Sequence, residues 1–135
     1  ATAAGHAGVA YALTGLMRAL PWHASRQQMY LPKDVCDRHN LDVQTVFRGE
    51  TTAELRAVLA EMRGHVRHHL GRVRQASKDV PTACQAAYLP LVLVEPFLKK
   101  LEREDLDPLK QVAEMSQLRR QWILWRASAN VQKAI

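Results

Sequence analysis

The segment from Thr51 to Lys78 constrains the fold of this chain more than any other. Its apolar residues recur at the period of one face of an α-helix, and they are Leu55, Val58, Leu59, Met62, Val66, Leu70 and Val73. The preceding Thr51-Thr52-Ala53-Glu54 has the pattern of a capping box, in which a threonine hydroxyl binds a free helix amide and Glu54 reaches back. The pattern predicts one long helix with an apolar face, and other elements must cover that face.

The first fifty residues predict further helices with clear boundaries. The predicted elements are a helix over 3–20, a polar loop over 22–30, and short helices over 33–39 and 42–47. Pro21 is expected to end the first helix, because proline cannot continue the hydrogen-bond ladder. Asn40 and Gly49 are expected to end the short helices, since both residues tolerate the left-handed conformation.

The last third of the chain also has a helical pattern. A helix is expected from Val80-Pro81 to Leu101, with a kink at Pro90. A last helix is expected to open at Pro108, with Leu118, Trp122 and Trp125 on its apolar side. No stretch alternates apolar and polar residues as a strand does, so the sequence predicts an all-α fold.

Length and composition are those of a single folded domain over 1–135. The chain has 47% hydrophobic and 24% charged residues, enough for a buried core. Its net charge of +6 favours an acidic partner, which leaves anionic lipid, nucleic acid and an acidic protein surface open. No apolar run reaches the length of a transmembrane helix. Without a signal peptide, and with alanine as its first residue, the chain is expected to be a processed product or a fragment.

Cys36 and Cys84 are far apart and form no CxxC motif. We expect free, buried thiols in a reducing compartment. A structural disulfide or a shared metal is the alternative.

Two features of the long helix are candidates for binding. Arg63, Arg67, Arg74 and Lys78 form a basic stripe beside the apolar row. Such a stripe contacts phosphates or an acidic helix, or it is simply a solvated face. His65 and His69 have the spacing of zinc ligands on one helix face, and His68 lies beside them. Solvated or interface histidines are the alternative, and no metal is assigned to them.

Trp122 and Trp125 lie three residues apart in the predicted last helix. They are candidates for contact with a partner protein or a membrane interface. The alternative is that the pair closes the core against a neighbouring helix.

The segment from Leu16 to Pro32 carries a resemblance to a known family. Arg18 and Tyr30-Leu31-Pro32 stand where squalene/phytoene synthases have the arginine of an Asn-x-x-Arg-Asp-x-x-x-Asp motif and a following Tyr-Leu-Pro. Gly15 replaces the asparagine of that motif, and Ala19 and His23 replace its two metal-binding aspartates. The chain resembles most a branch of this family that acts in the assembly of mitochondrial NADH dehydrogenase, complex I.

The resemblance implies a fold and a site. The fold would be part of an isoprenoid-synthase-type helical bundle, with about four longer helices plus short ones and a missing N-terminal half. The site would be vestigial, with no cofactor and no metal, because Mg²⁺ needs carboxylate ligands that Ala19 and His23 do not supply. Its residues would be Arg18, Ala19, His23, Arg26 and Tyr30. They would form a remnant site for an anion or a lipid head group, unless Arg18 only stabilises the C-terminal end of its helix.

Three functions follow as hypotheses. The first is a non-catalytic pseudo-synthase that acts by protein contacts, as an assembly factor or accessory subunit of a large mitochondrial complex. Its location would be the matrix side of the inner membrane, or the cytoplasm if the source is bacterial. The second is a prenyl-diphosphate transferase whose missing half comes from elsewhere. The third is a module that binds anionic lipid or nucleic acid through the basic stripe.

Overall fold

The computed structural model describes residues 2–135, and these residues form helices and connecting turns. The α-helices are α1 (Ala3–Arg18), α2 (Leu20–Ser25), α3 (Lys33–Arg38), α4 (Val43–Phe47), α5 (Ala53–Ala76), α6 (Thr82–Gln85), α7 (Val94–Leu101), α8 (Gln117–Ser128) and α9 (Val131–Ala134). Two 3₁₀-helices cover Ser77–Asp79 and Ala86–Leu93. The predicted all-α class is confirmed.

The core is built along the contact between α1 and α5. All seven apolar residues of the predicted row on α5 are buried. They face Ala10, Thr14 and Met17, the buried side of α1. His6, near the start of α1, meets His69, near the end of α5, so the two helices run antiparallel. Burial of a side chain such as Met62 stabilises the fold by about 1.5–3 kcal/mol relative to exposure.

The helix boundaries follow their capping residues, but the predicted capping box from Thr51 to Glu54 is wrong, because the N-cap of α5 is Thr52. Thr52 is the N-cap of α5 and accepts a hydrogen bond from the Leu55 amide at 3.2 Å, whereas the Thr51 hydroxyl donates to Asp107 at 2.6 Å. Asn40 and Gly49 have φ of 52° and 75°, which confirms the predicted left-handed ends.

The polar loop predicted over 22–30 is wrong in its first part. Pro21 lies in the first turn of α2, where a missing amide hydrogen breaks no helical hydrogen bond. The chain therefore turns at Ala19 and remains helical to Ser25. Gln27, with φ of 55°, then leads the chain away from the helix.

The segment from Thr82 to Leu101 is helical, as predicted, but it is not one continuous α-helix. Pro90 lies inside the 3₁₀-helix that separates α6 from α7. A proline lacks the amide hydrogen and its ring crowds the preceding turn, so the interruption falls at the predicted kink.

The helix that carries Trp122 and Trp125 is α8, which begins at Gln117, so the predicted start at Pro108 is wrong. Residues 111–116 form no helix, and side chains from other helices bind two carbonyl groups of this segment. Arg18 Nε donates to the Ala113 carbonyl at 2.9 Å, and Lys100 Nζ donates to the Glu114 carbonyl. Ser116 then caps α8 by accepting a hydrogen bond from the Arg119 amide at 3.3 Å.

The two cysteines have different surroundings. Cys36 is buried, as predicted, but Cys84 is exposed on α6, because that short helix has no buried side. Both thiols are free among the residues that the structure describes.

None of the helices within residues 2–135 combines the length and the apolar character needed to cross a bilayer.

The contact between His6 and His69 makes the stability of the fold depend on pH. Their Nδ1 atoms lie 2.8 Å apart, so one neutral ring donates to the other. Burial lowers the pKa of both rings below the ordinary value of 6.5, with Arg72 adding to the effect at His6 and the neighbouring histidines adding to it at His69. The unfolded chain therefore binds these protons more tightly than the folded chain.

We expect the free energy of unfolding to be highest above about pH 6.5 and to fall as the pH drops through the lowered pKa of these rings. Replacing His6→Gln should reduce this pH dependence, because His69 then loses a cationic neighbour. Urea unfolding followed by circular dichroism between pH 5 and pH 8 measures it, with His23→Gln as the control. An unchanged pH dependence in His6→Gln would contradict this assignment.

Candidate functional site

A cavity of about 140 Å³ lies between α1, the second 3₁₀-helix, α7 and α8. Its lining residues are Tyr11, Thr14, Gly15, Arg18, Pro90, Leu93, Val94, Phe97 and Arg120. We call this cavity the arginine pocket, because two guanidinium groups face mainly apolar and aromatic side chains there.

Arg18 enters the arginine pocket from the C-terminal end of α1. Its guanidinium carbon lies 3.8 Å from the centre of the Phe97 ring, the geometry of a cation–π contact. Its Nε holds the Ala113 carbonyl at 2.9 Å. Burial lowers the pKa of Arg18, and the positive charge of Arg120 lowers it further. Arg18 therefore links α1, α7 and the segment before α8.

Arg120 supplies the second cation from α8. Its Nε is buried and has no hydrogen-bond partner among residues 2–135. A buried donor left without a partner costs about 1–3 kcal/mol. The lining residues include no carboxylate, and the negative charge that acts on Arg18 from Glu114 lies outside the pocket lining. This arrangement suits a small anion such as phosphate or a carboxylate, which guanidinium groups bind through paired hydrogen bonds.

The other residues predicted for the vestigial site do not line the arginine pocket. Ala19 lies at the turn between α1 and α2 and offers no ligand atom. The ring of His23 packs edge-on against Tyr30, with 4.6 Å between the ring centres. The guanidinium of Arg26 lies 4.5 Å from the centre of the Trp22 ring on the surface. The structure thus places Arg18 apart from His23, Arg26 and Tyr30.

These positions test whether the site fits the magnesium ions that the family resemblance implies. Mg²⁺ takes oxygen ligands, chiefly carboxylates. Ala19 supplies no donor atom, and His23 supplies nitrogen. The first acidic residue of the chain is Asp34, so neither α1 nor α2 carries a carboxylate. The donor set on these two helices does not fit magnesium.

The basic stripe on α5 is largely engaged within the chain. Arg67 forms ion pairs with Glu95, at 2.8 Å, and with Glu102. These hydrogen bonds raise the pKa of Arg67 and lower that of Glu102. Arg63 Nε lies 3.7 Å from Glu102. The stripe therefore ties α5 to α7.

The end of the stripe has a different environment. Arg74 Nε donates to the Ile135 carbonyl, and Lys78 is exposed on the 3₁₀-helix after α5. If the stripe binds a phosphate, Lys78 is exposed for that contact. Arg74 becomes available only when it releases the Ile135 carbonyl.

The histidines on α5 contact three different neighbours. His65 Nε2 lies 3.3 Å from Glu61, His69 contacts His6, and His68 packs edge-on against His69. Glu61 also binds Arg38 and His39 of the α3 region, and these partners lower its pKa to about 2. Within residues 2–135, no group of three or more histidine, cysteine, aspartate or glutamate side chains is placed to hold a metal ion.

Trp122 and Trp125 are exposed on α8. The buried side of that helix is instead formed around Ala127, with Ile123 and Leu124 half-buried. Within residues 2–135 the pair does not close the core, and its exposure is compatible with contact to a partner.

Sequence reasoning did not identify Arg120, Phe97 and Tyr11 as site residues. Each lies on a different helical segment, and only their packing brings them together. The sequence signal that could have indicated the start of α8 is Ser116, because serine is a common helix N-cap. That cap sets the true start of α8.

The comparisons with known proteins agree on one family. The sequence model of the squalene/phytoene synthase family matches residues 1–126. The chain is 34% identical over 105 residues to assembly factor 6 of NADH dehydrogenase (ubiquinone) complex I from Mus musculus, an alignment that covers 78% of this chain and 32% of that protein. The Homo sapiens protein of the same name gives the same identity and coverage.

A plant enzyme also matches. The chain is 29% identical over 117 residues to the chloroplastic phytoene synthase of Narcissus pseudonarcissus, covering 84% of this chain and 27% of that protein. The chain spans about a third of the length of the curated relatives it matches. No solved structure matches it with statistical significance.

The family match extends over nearly the whole chain and includes the helix that carries Arg18. It accords with the all-α architecture and with the order of the matching residues from Arg18 to Pro32. The chain belongs to the squalene/phytoene synthase family.

Proposed function

We propose that this chain is a non-catalytic member of its family that acts through protein contacts in the assembly of respiratory complex I. The observation that carries the proposal is the absence of any carboxylate on α1 and α2, where Ala19 and His23 stand in place of the family's aspartates. An enzyme that ionises a prenyl diphosphate relies on metal ions held by such carboxylates. The same positions here contain a methyl group and a histidine packed on Tyr30.

The names of the relatives also support this proposal. Curated proteins from Mus musculus and Homo sapiens that are 34% identical to the chain are named as complex I assembly factors. A protein with this role would act in mitochondria, and we place it on the matrix side of the inner membrane, where its partners would be protein subunits of the growing complex. The exposed aromatic residues on α8 are available for such contacts or for others.

The first test separates assembly from catalysis. Cells that lack the gene should lose most assembled complex I on native gels, and the full-length protein should restore it. Full-length His23→Ala should restore it equally well, since the proposed role does not use this side chain. Leu98→Asp, which places a charge in the core, is the inactive control. Normal complex I in the cells that lack the gene would contradict the assembly role.

The matching biochemical test uses purified full-length protein with farnesyl or geranylgeranyl diphosphate and Mg²⁺. We expect no release of diphosphate above background, while an active phytoene synthase under the same conditions supplies the positive control. Turnover that depends on Mg²⁺ would overturn the non-catalytic assignment and favour the transferase hypothesis.

A second candidate function rests on the buried, unpaired Nε of Arg120. We infer that the arginine pocket binds a small phosphate- or carboxylate-bearing ligand between Arg18 and Arg120. This function involves ligand binding without a catalysed reaction, and it is compatible with a role in assembly. Its ligand would strengthen the contact between α1 and α8, because both guanidinium groups would then share one anion.

Titration calorimetry with inorganic diphosphate tests the arginine pocket. We expect Arg120→Gln to weaken binding by roughly tenfold or more, because a charge-assisted hydrogen bond contributes about 1.5–3 kcal/mol. The matched control is Arg119→Gln, which removes a neighbouring exposed cation and should change the affinity little. Equal loss in both variants, or no binding to the wild-type chain, would show that no such site exists.

A further inference from the structure

The outer side of α8 carries a continuous apolar stripe. Leu118, Trp122 and Trp125 follow one another at intervals of four and three residues, so they lie on one face of the helix. Their exposed fractions are 80%, 54% and 72%, whereas Ala127 on the opposite side is buried. We call these three residues the tryptophan stripe. An exposed apolar group of this kind on a folded chain marks a surface that binds something.

The surroundings of the tryptophan stripe are positively charged. Residues 115–135 include Arg119, Arg120, Arg126 and Lys133 but no aspartate or glutamate. Arg119, Arg126 and Lys133 are exposed, and none of them forms an ion pair within residues 2–135. The guanidinium of Arg126 lies 5.2 Å from the centre of the Trp122 ring. These cations differ from Arg67, whose charge is already offset by two glutamates.

A cavity of about 450 Å³ adjoins the tryptophan stripe. Trp122 of the tryptophan stripe lines this cavity together with Arg126, and Lys133 of α9 lines it as well. Val92, Ile123 and Ala127 supply apolar surface there. Apolar side chains and two cations thus share one concave space, which matches the two chemical parts of an anionic lipid.

The size of the tryptophan stripe favours a membrane surface over a protein as its partner. Three side chains expose at most a few hundred Å², which is less than the roughly 800 Å² per partner in a specific protein interface. A membrane surface does not need a large complementary interface. Tryptophan rings are favourable at the lipid head groups, because one end of the ring system is apolar and its N–H is polar. Flanking arginines add attraction to anionic lipid.

We propose that the tryptophan stripe binds the surface of an anionic bilayer, with α8 lying parallel to the membrane plane. Leu118, Trp122 and Trp125 enter the boundary between head groups and acyl chains, while Arg119, Arg126 and Lys133 contact lipid phosphates. The twelve residues of α8 are too few to cross a bilayer, so the contact is peripheral. This proposal depends only on α8 and its neighbours, and it stands whether or not the chain acts in complex I assembly.

Vesicle co-sedimentation of the full chain tests the proposal. Vesicles of phosphatidylcholine alone are compared with vesicles that also contain phosphatidylglycerol, at low and at high salt. We expect binding to the anionic vesicles, weaker binding at high salt and little binding to the neutral ones, because screening reduces the electrostatic attraction. Equal binding to both kinds of vesicle, or none to the anionic kind, would overturn the proposal.

Paired variants identify the surface. Replacing Arg119→Gln together with Arg126→Gln should weaken binding to anionic vesicles roughly thirtyfold, since each cation near such a surface contributes about a factor of five. Replacing Trp122→Ser together with Trp125→Ser should weaken binding roughly tenfold or more. All four side chains are exposed, so the variants should fold, and circular dichroism checks this.

The matched control is Trp22→Ser on α2. Trp22 is another exposed tryptophan with an arginine, Arg26, over its ring, but it lies outside the tryptophan stripe. Its replacement should leave vesicle binding unchanged. If Trp22→Ser reduces binding as much as the α8 variants, or if the α8 variants bind normally, α8 is not the membrane-binding surface. Complex I assembly is measured separately in cells, so failure of that role and failure of membrane binding are distinguishable.

Discussion

Arg18 holds the C-terminal part of this fold in place through one hydrogen bond and one aromatic contact. Its Nε binds the Ala113 carbonyl at 2.9 Å, and its guanidinium lies against Phe97. The segment that carries Ala113 is non-helical, and α8 begins after its N-cap, Ser116. Arg120 of α8 lines the arginine pocket with Arg18, whereas the tryptophan stripe is exposed. The arginine pocket and the exposed stripe thus lie on different sides of α8.

The distribution of charge separates structural cations from those free to bind a partner. Arg67 joins α5 to α7 through Glu95 and Glu102, and Glu61 joins α5 to the region of α3. These pairs are partly exposed, so each adds little to stability but fixes the relative position of the helices. None of the arginines of α8 forms an ion pair within residues 2–135. Exposed cations without an ion pair, Arg119 and Arg126, thus lie on the helix whose apolar stripe is also exposed.

Family membership and catalysis are separate questions for this chain. The helical framework of a squalene/phytoene synthase is retained around Arg18, whereas the positions of the aspartates hold Ala19 and His23. A fold can persist without its chemistry, because packing depends on apolar residues and catalysis on a few polar ones. At the end of α1 lies a cationic pocket, in which Arg18 contacts the Phe97 ring and donates to the Ala113 carbonyl.

The sequence by itself determined the all-α class, the buried row of α5 and the left-handed ends at Asn40 and Gly49. These features depend on local periodicity and on residues that tolerate positive φ, both of which are visible along the chain. Only the tertiary structure decided which side of α8 is buried. A helix carrying Leu118, Trp122 and Trp125 on one side and Arg120 on the other predicts a buried apolar face. In the structure that face is exposed and Arg120 lies in the arginine pocket. The elements that surround Arg120 there come from distant parts of the sequence, so their packing leaves no local pattern.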